Sequence, residues 1–157
     1  MPKVVEGSLI ATGKKFAIVA GRWNGAFAER LIEGALDSLR LHGARDEDVT
    51  VYRCPGCFEL GQAAAKVAQA GGHDAIICLG VLIRGATPHF DYIAGKATAD
   101  IGSVGLERGL PVSYGVLTCD TQAQALERSG SKVGNKGEEA ALAAIEMVNL
   151  YAQIEAQ

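Results

Sequence analysis

The sequence predicts an α/β fold in which a parallel sheet is covered by helices on both faces. Two observations carry this. Apolar, strand-like runs alternate with helix-like stretches along the chain, the pattern of crossover connections between parallel strands. The longest run, Ala75 to Ile83, is almost unbroken Ile, Leu, Val, Ala and Cys, as a strand buried on both faces requires. In chain order, residues 4–10 come first, ahead of Gly13 and with no helix behind them. They read either as an edge strand or as a strand that pairs with another subunit. Phe16 to Ala20 is the first strand candidate, and a helix over 25–42 follows, with Phe27, Leu31, Ala35 and Leu39 on one stripe. Further strands are expected at 49–52, 75–83 and 112–117, separated by helices over 59–70 and 89–108. After the last strand, 121–128 and 137–153 read as two more helices. Asn135-Lys-Gly-Glu138 ahead of the second has capping-box spacing, with asparagine in place of Ser or Thr. No repeat, linker or low-complexity stretch breaks the chain, so residues 1–157 are expected to form one domain, with 1–12 as an N-terminal segment.

Composition permits a compact enzyme. A chain of 157 residues that is 48% hydrophobic buries about 70% of its unfolded surface. The net charge is −3 and the basic residues are scattered, which leaves no electrostatic footprint for nucleic acid. Met-Pro-Lys-Val-Val-Glu at the N-terminus lacks an apolar h-region, so no secretory signal is expected. The longest apolar run is far short of the ~20 residues that span a bilayer. Cys54, Cys57, Cys78 and Cys119 do not form a disulfide-scaffold pattern, and Cys78 lies inside the apolar strand. The expectation is a cytoplasmic protein that engages neither nucleic acid nor membrane.

Open parallel sheets bind ligands beyond the carboxyl ends of their strands. Four segments occupy those positions: Gly21-Arg-Trp23-Asn24, Cys54-Pro-Gly-Cys-Phe58-Glu59, Arg84-Gly-Ala-Thr-Pro-His89 and Thr118-Cys-Asp120-Thr. They bring an aromatic plane, a carboxylate, an anion cradle and an imidazole to one sheet edge, a set suited to an aromatic, phosphorylated or polyhydroxylated small molecule. The third segment is the most informative. Gly85, Ala86 and Thr87 turn out of the longest strand into a helix opened by Pro88, whose missing N–H costs nothing there. Such a turn offers backbone N–H groups and a positive dipole end to an anion, and His89 stands beside it.

Two motifs imitate other chemistries. Gly80-x4-Gly85-Ala86-Thr87 has P-loop spacing, but Ala86 stands where the phosphate-binding lysine is required. Cys54-Pro-Gly-Cys57 between a strand and a helix has the layout of a thiol-disulfide oxidoreductase, though Pro88 follows a strand here, whereas the thioredoxin-like partner proline leads into one. No second Cys-x-x-Cys or His pair completes a zinc set. Blander readings stand beside the functional ones. His42 and His73 read as surface or capped residues, and Trp23 either caps the core or stacks on a ligand. Glu59 either complements a helix dipole or binds. Arg128, Lys132 and Lys136 on spacing alone form a solvated basic end.

Several motifs in order resemble those of the lumazine synthase family, from about Glu6 to Tyr151. They are Arg22-Trp-Asn24, Pro55-Gly-Cys-Phe-Glu59, Gly80-Val-Leu-Ile-Arg-Gly-Ala-Thr-Pro-His-Phe-Asp-Tyr-Ile93, Val112-Ser-Tyr-Gly-Val-Leu-Thr118, and Gln124-Ala-Leu-Glu-Arg128 leading to Gly134-Asn-Lys-Gly137. The resemblance implies a flavodoxin-like three-layer sandwich assembled into pentamers. It also implies a cofactor-free and metal-free condensation of 5-amino-6-(D-ribitylamino)uracil with 3,4-dihydroxy-2-butanone 4-phosphate to 6,7-dimethyl-8-ribityllumazine, the penultimate step of riboflavin biosynthesis. By motif position, Trp23 would stack on the pyrimidine, while Cys57, Phe58 and Glu59 would contact the ribityl chain, with Asn24 nearby. Backbone groups of Val81, Leu82 and Ile83 would read the pyrimidine edge, helped by Lys136. Gly85, Ala86, Thr87 and Arg128 would hold the phosphate, and His89 would move protons. Tyr114 and Arg128 would come from a neighbouring subunit. An imidazole titrating around 6.5 suits acid–base work near neutrality, and a guanidinium suits phosphate.

The resemblance further implies that association with riboflavin synthase is open to such a protein. The short connection at 130–137 resembles that of members that close twelve pentamers into an icosahedral shell of sixty chains. Four positions depart from the common pattern: Trp23 where phenylalanine is more frequent, Cys57 for a small Ala or Ser, Gly61 for proline, and Tyr114 for phenylalanine. None removes a chemical role. Besides the synthase, two other classes are expected to be distinguishable by experiment: a dithiol oxidoreductase resting on Cys54 and Cys57, and a non-catalytic flavin- or lumazine-binding shell protein.

Overall fold

A computed structural model describes residues 1–131 and 134–157 of the chain. Four strands, β1 (Phe16–Gly21), β2 (Val49–Cys54), β3 (Ala75–Ile83) and β4 (Val112–Cys119), form one parallel sheet in the order β2-β1-β3-β4. The helices are α1 (Gly25–Leu41), α2 (Leu60–Ala70), α3 (His89–Arg108), α4 (Gln122–Arg128) and α5 (Lys136–Glu155). The strand order, with helices on both faces, is that of a flavodoxin-like fold.

The pleat divides the core in two. Phe16, Ile18 and Ala20 of β1 and Ala75, Ile77 and Leu79 of β3 point to the face covered by α1 and α5, where Leu31, Leu39 and Ile145 are fully buried. Ala17, Val19, Ile76 and Cys78 point the other way, against Leu60 and Ala64 of α2 and Ala97 and Ile101 of α3. Both faces of the central strands are therefore apolar, which is why β3 reads as a continuous run and not an alternation. Truncating one of the fully buried leucines would cost roughly 2–5 kcal/mol. Exposed ion pairs such as Arg53 with Glu29 contribute far less, about 0–1 kcal/mol. The fold rests on its two apolar layers.

Helix boundaries follow local chemistry. Thr121 caps α4 from outside, its Oγ1 accepting from Gln124 N at 3.1 Å, so the helix begins one residue later than the sequence reading. Residues Cys57–Glu59 form a separate 3-10 turn ahead of α2. Asn135 caps α5 as its spacing predicts, with Oδ1 accepting from Gly137 N at 2.8 Å and Glu138 N at 3.2 Å. Gly109 closes α3 in the left-handed conformation (φ 60°), at ease without a Cβ.

Residues 1–12 form no strand of the chain's own sheet, contrary to the edge-strand reading. Their carbonyls are taken by side-chain amides of α5: Asn149 Nδ2 donates to Ser8 O at 2.8 Å and Ile10 O at 3.0 Å, and Gln153 Nε2 to Glu6 O at 2.5 Å. Gly7 lies so close to the Glu146 carbonyl that no side chain fits between. Val4 and Ile10 remain well exposed.

Candidate active site

In this strand order the chain leaves β1 toward β2 on one side and returns past it to β3 on the other. The carboxyl ends of β1 and β3 thus border a crevice. A cleft of about 390 Å³ lies there. Three of the four predicted segments meet in it: Gly21, Trp23 and Asn24 after β1; Gly56, Cys57, Phe58 and Glu59 after β2; and Val81, Leu82 and Ile83 with His89 and Ile93 around the end of β3.

Backbone bonds draw the first two segments together. Arg22 N donates to Cys54 O at 2.9 Å, and Trp23 N to Pro55 O at 3.1 Å. Trp23 is 66% exposed, so it does not cap the core. Its six-membered ring packs on Gly56, where a Cβ would come within 2.8 Å of Cε3. Asn24 alone among the described non-glycine residues has a positive φ, 58°. Asparagine tolerates that conformation better than most residues, and Asn24 Nδ2 donates to Val81 O at 2.9 Å, tying the two strand ends across the crevice.

Glu59 contributes an unusual atom: Oε2 is buried and has no hydrogen-bond partner. A buried carboxylate oxygen without a donor is costly, and a hydroxylated ligand would satisfy it. Cys57 is buried beneath, and burial pushes its thiol up to about 12; Cys54 is also raised, chiefly by burial. Reactive thiols are shifted downward, and both cysteines are free. Both thiols of the Cys-x-x-Cys segment are thus buried and shifted opposite to a reactive dithiol. The P-loop imitation dissolves as well, because Gly80 lies inside β3.

At the cleft rim, residues 85–87 connect Ile83 to His89, the first residue of α3. The turn is exposed, and among the described residues no backbone carbonyl takes the N–H groups of Gly85, Ala86 or Thr87. Free donors and a helix N-terminus face solvent there, the arrangement anions favour. His89 is exposed at the same rim.

Tyr114, Arg128 and Lys136 lie elsewhere. They line a second cavity of about 380 Å³ along the open edge of β4, with Thr118 and Glu139. The Tyr114 hydroxyl is 2.9 Å from that of Thr98, and Arg128 Nη1 donates to Gln124 O at 3.2 Å. No predicted residue lines both cavities. Lys136 keeps company with Arg128 and not with Val81, Leu82 and Ile83. Lys132 lies outside the described residues. A larger open hollow of about 540 Å³, lined by Arg30, Glu33, Asp37 and Glu138, holds none of the predicted residues.

Sequence reasoning placed Gly21 and Gly56 in post-strand segments and Ile93 in a motif but gave none of them a role in the site. Ile93 had a signal, since it follows His89 by one helical repeat and shares its face. The fourth post-strand segment also behaves differently from expectation: Asp120 pairs with Arg84 and does not line the cleft. Among the described residues, no cluster of His, Cys, Asp and Glu has metal-site geometry, and no helix is long and apolar enough to cross a membrane.

The family model described as 6,7-dimethyl-8-ribityllumazine synthase matches residues 13–152. The chain belongs to this family. A relative from Chlorobium phaeobacteroides, named 6,7-dimethyl-8-ribityllumazine synthase, is 56% identical over 151 residues, covering 96% of this chain and 97% of its own length. Another of that name, from Chloroherpeton thalassium, is 56% identical over 152 residues, covering 97% of this chain and 98% of its own. The matched span takes in both cavities and leaves out residues 1–12.

Proposed function

We propose that this chain is a transferase of the lumazine synthase reaction. It condenses 5-amino-6-(D-ribitylamino)uracil with 3,4-dihydroxy-2-butanone 4-phosphate to 6,7-dimethyl-8-ribityllumazine, releasing phosphate and water. The amine of the pyrimidine attacks the ketone and an imine forms with loss of water. Loss of a proton and departure of phosphate follow, and the ribitylamino nitrogen closes the ring with loss of a second water. The observation that carries the reading is the single cleft lined by an exposed indole, a carboxylate with an orphan oxygen and an imidazole, with the free-donor turn 85–87 connecting its Ile83 and His89.

In this reading Trp23 stacks on the pyrimidine, and the backbone of Val81, Leu82 and Ile83 reads its edge. Asn24, Cys57, Phe58 and Glu59 border the ribityl chain, the unpaired Glu59 oxygen accepting from its hydroxyls. Gly85, Ala86 and Thr87 bind the phosphate through N–H groups, and His89 relays protons. Arg128, Tyr114 and Lys136 complete the site of a neighbouring copy. The separation of the two cavities supports this, because a head-to-tail ring brings one chain's cleft against the next chain's β4 edge. From the family resemblance we further infer a pentamer, with twelve pentamers closing into a shell, and residues 1–12 pairing with a neighbour. Association with riboflavin synthase and a cytoplasmic location belong to the same reading. The direct test mixes purified protein with both substrates and follows lumazine fluorescence. A rate no faster than the protein-free control would remove the proposal.

A further inference from the structure

We propose that Arg84 is a positioning residue: a two-carboxylate clamp from its guanidinium to Asp91 and Asp120 fixes the 85–87 turn and the first turn of α3. This rests on the reading of that turn as the phosphate cradle. Arg84 stands immediately before the turn, where an arginine would ordinarily be taken for a phosphate ligand. Two of its three side-chain nitrogens are already committed to carboxylates. Nε donates to Asp120 Oδ1 at 2.9 Å, and Nη1 to the two carboxylate oxygens of Asp91 at 3.1 and 3.2 Å. The guanidinium carbon sits 4.5 Å from the centroid of the Phe90 ring. Two carboxylates against one cation leave the group with a net negative surrounding, the wrong sign for capturing an anion.

The clamp joins three elements. The Arg84 backbone N–H donates to Cys119 O at 2.8 Å, at the end of β4. Asp91 and Phe90 lie in the first turn of α3, next to His89. Asp120 is itself held, its N–H donating to Gln124 Oε1 at 2.7 Å, and α4 carries Arg128. The turn has little else to hold it. Residues 85–87 are exposed, a Cβ on Gly85 would meet nothing within 4 Å, and their N–H groups have no backbone partners among the described residues. Exposed ion pairs add little to folding stability, so the consequence of this network is geometric. It sets where the turn's donors point, and pre-aimed donors are what charge stabilisation requires. A lysine cannot replace it, since a point charge does not span two carboxylates from a rigid fork.

The test uses the assembled protein with both substrates, each varied in turn, and inorganic phosphate as competitor, on Arg84→Gln, Arg84→Lys and Asp120→Ala. A displacement of about 1 Å in a positioned group costs up to 10²-fold. The expected result is a rise of about tenfold or more in KM for the phosphate-bearing substrate and in the phosphate inhibition constant. The pyrimidine KM should stay within twofold, and Arg84→Lys should recover only part of the loss. Asp120→Ala decides between roles. If Arg84 were a phosphate ligand, freeing it from Asp120 would tighten phosphate, whereas a positioning role predicts weaker phosphate binding. Tighter or unchanged binding in Asp120→Ala, or equal losses for both substrates, would overturn the proposal while leaving the synthase reading intact. If the unaltered protein makes no lumazine, the cradle reading fails and the clamp's assignment falls with it.

Discussion

Replacing Trp23 with alanine should damage binding far more than folding. The side chain is 66% exposed, so only about a third of it is shielded by the protein. A fully buried Trp→Ala change costs about 3–5 kcal/mol, and a third of that is roughly 1 kcal/mol. For a chain of this length that lowers Tm by about 2–4 °C. Stacking of a base-like ring on an aromatic side chain contributes about 1–3 kcal/mol, which at 1.4 kcal/mol per decade is about 5- to 140-fold in the pyrimidine KM. The measurement is a steady-state assay with the pyrimidine varied at saturating phosphate substrate, beside a thermal melt. Trp23→Phe should retain most of the affinity. Gly56→Ala gives an independent check, because its Cβ would come within 2.8 Å of Trp23 Cε3 and force the ring aside while keeping the indole. The chain has one tryptophan, so its emission reports this position alone, and a saturating pyrimidine should quench it. An unchanged pyrimidine KM in Trp23→Ala, or emission indifferent to ligand, would refute the stacking argument.

Removing the His89 imidazole should slow turnover by about 10²–10⁴-fold yet leave measurable activity, since holding two substrates together contributes separately. The pH–rate profile of His89→Ala should also lose the limb an imidazole supplies near neutrality, and wild-type rates across that range would show that His89 moves no protons. Arg128→Ala should cripple turnover and weaken inorganic phosphate binding, with Arg128→Lys recovering part; equal phosphate affinity in all three would make Arg128 a surface charge. Burial raises the Cys57 thiol from 9.0 to about 12. The stability gained by keeping it neutral is whole below pH 9 and is lost as pH rises toward about 12, because the unfolded thiol ionises first. Melts of Cys57→Ser between pH 9 and 11 should fall less steeply than those of the unaltered chain; parallel slopes would contradict the burial. Native mass measurement should give a pentamer or a larger particle, and a fully active monomer would dispose of the shared site.

Much of this molecule was open to reading in the chain itself, because the deciding forces were local or periodic. The unbroken apolar run of 75–83 required a strand buried on both faces, and its burial against two helical layers follows. Asn135 could be recognised as a cap from its spacing, and the post-strand positions of Trp23, Glu59 and His89 placed them at one sheet edge before any coordinate was known. What needed the tertiary structure depended on contacts between distant parts of the chain. Spacing does not say which strand lies outermost, and it is the open edge of β4 that gathers Tyr114, Arg128 and Lys136 away from the cleft. Nor does it say that amides on α5 take the carbonyls of Glu6, Ser8 and Ile10. Burial of Cys54 and Cys57, which raises both thiols, and the meeting of Arg84 with Asp120, thirty-six positions apart, are likewise products of the folded chain. Periodicity specifies which residues face inward; only the assembled tertiary structure decides which of the remaining polar groups find one another.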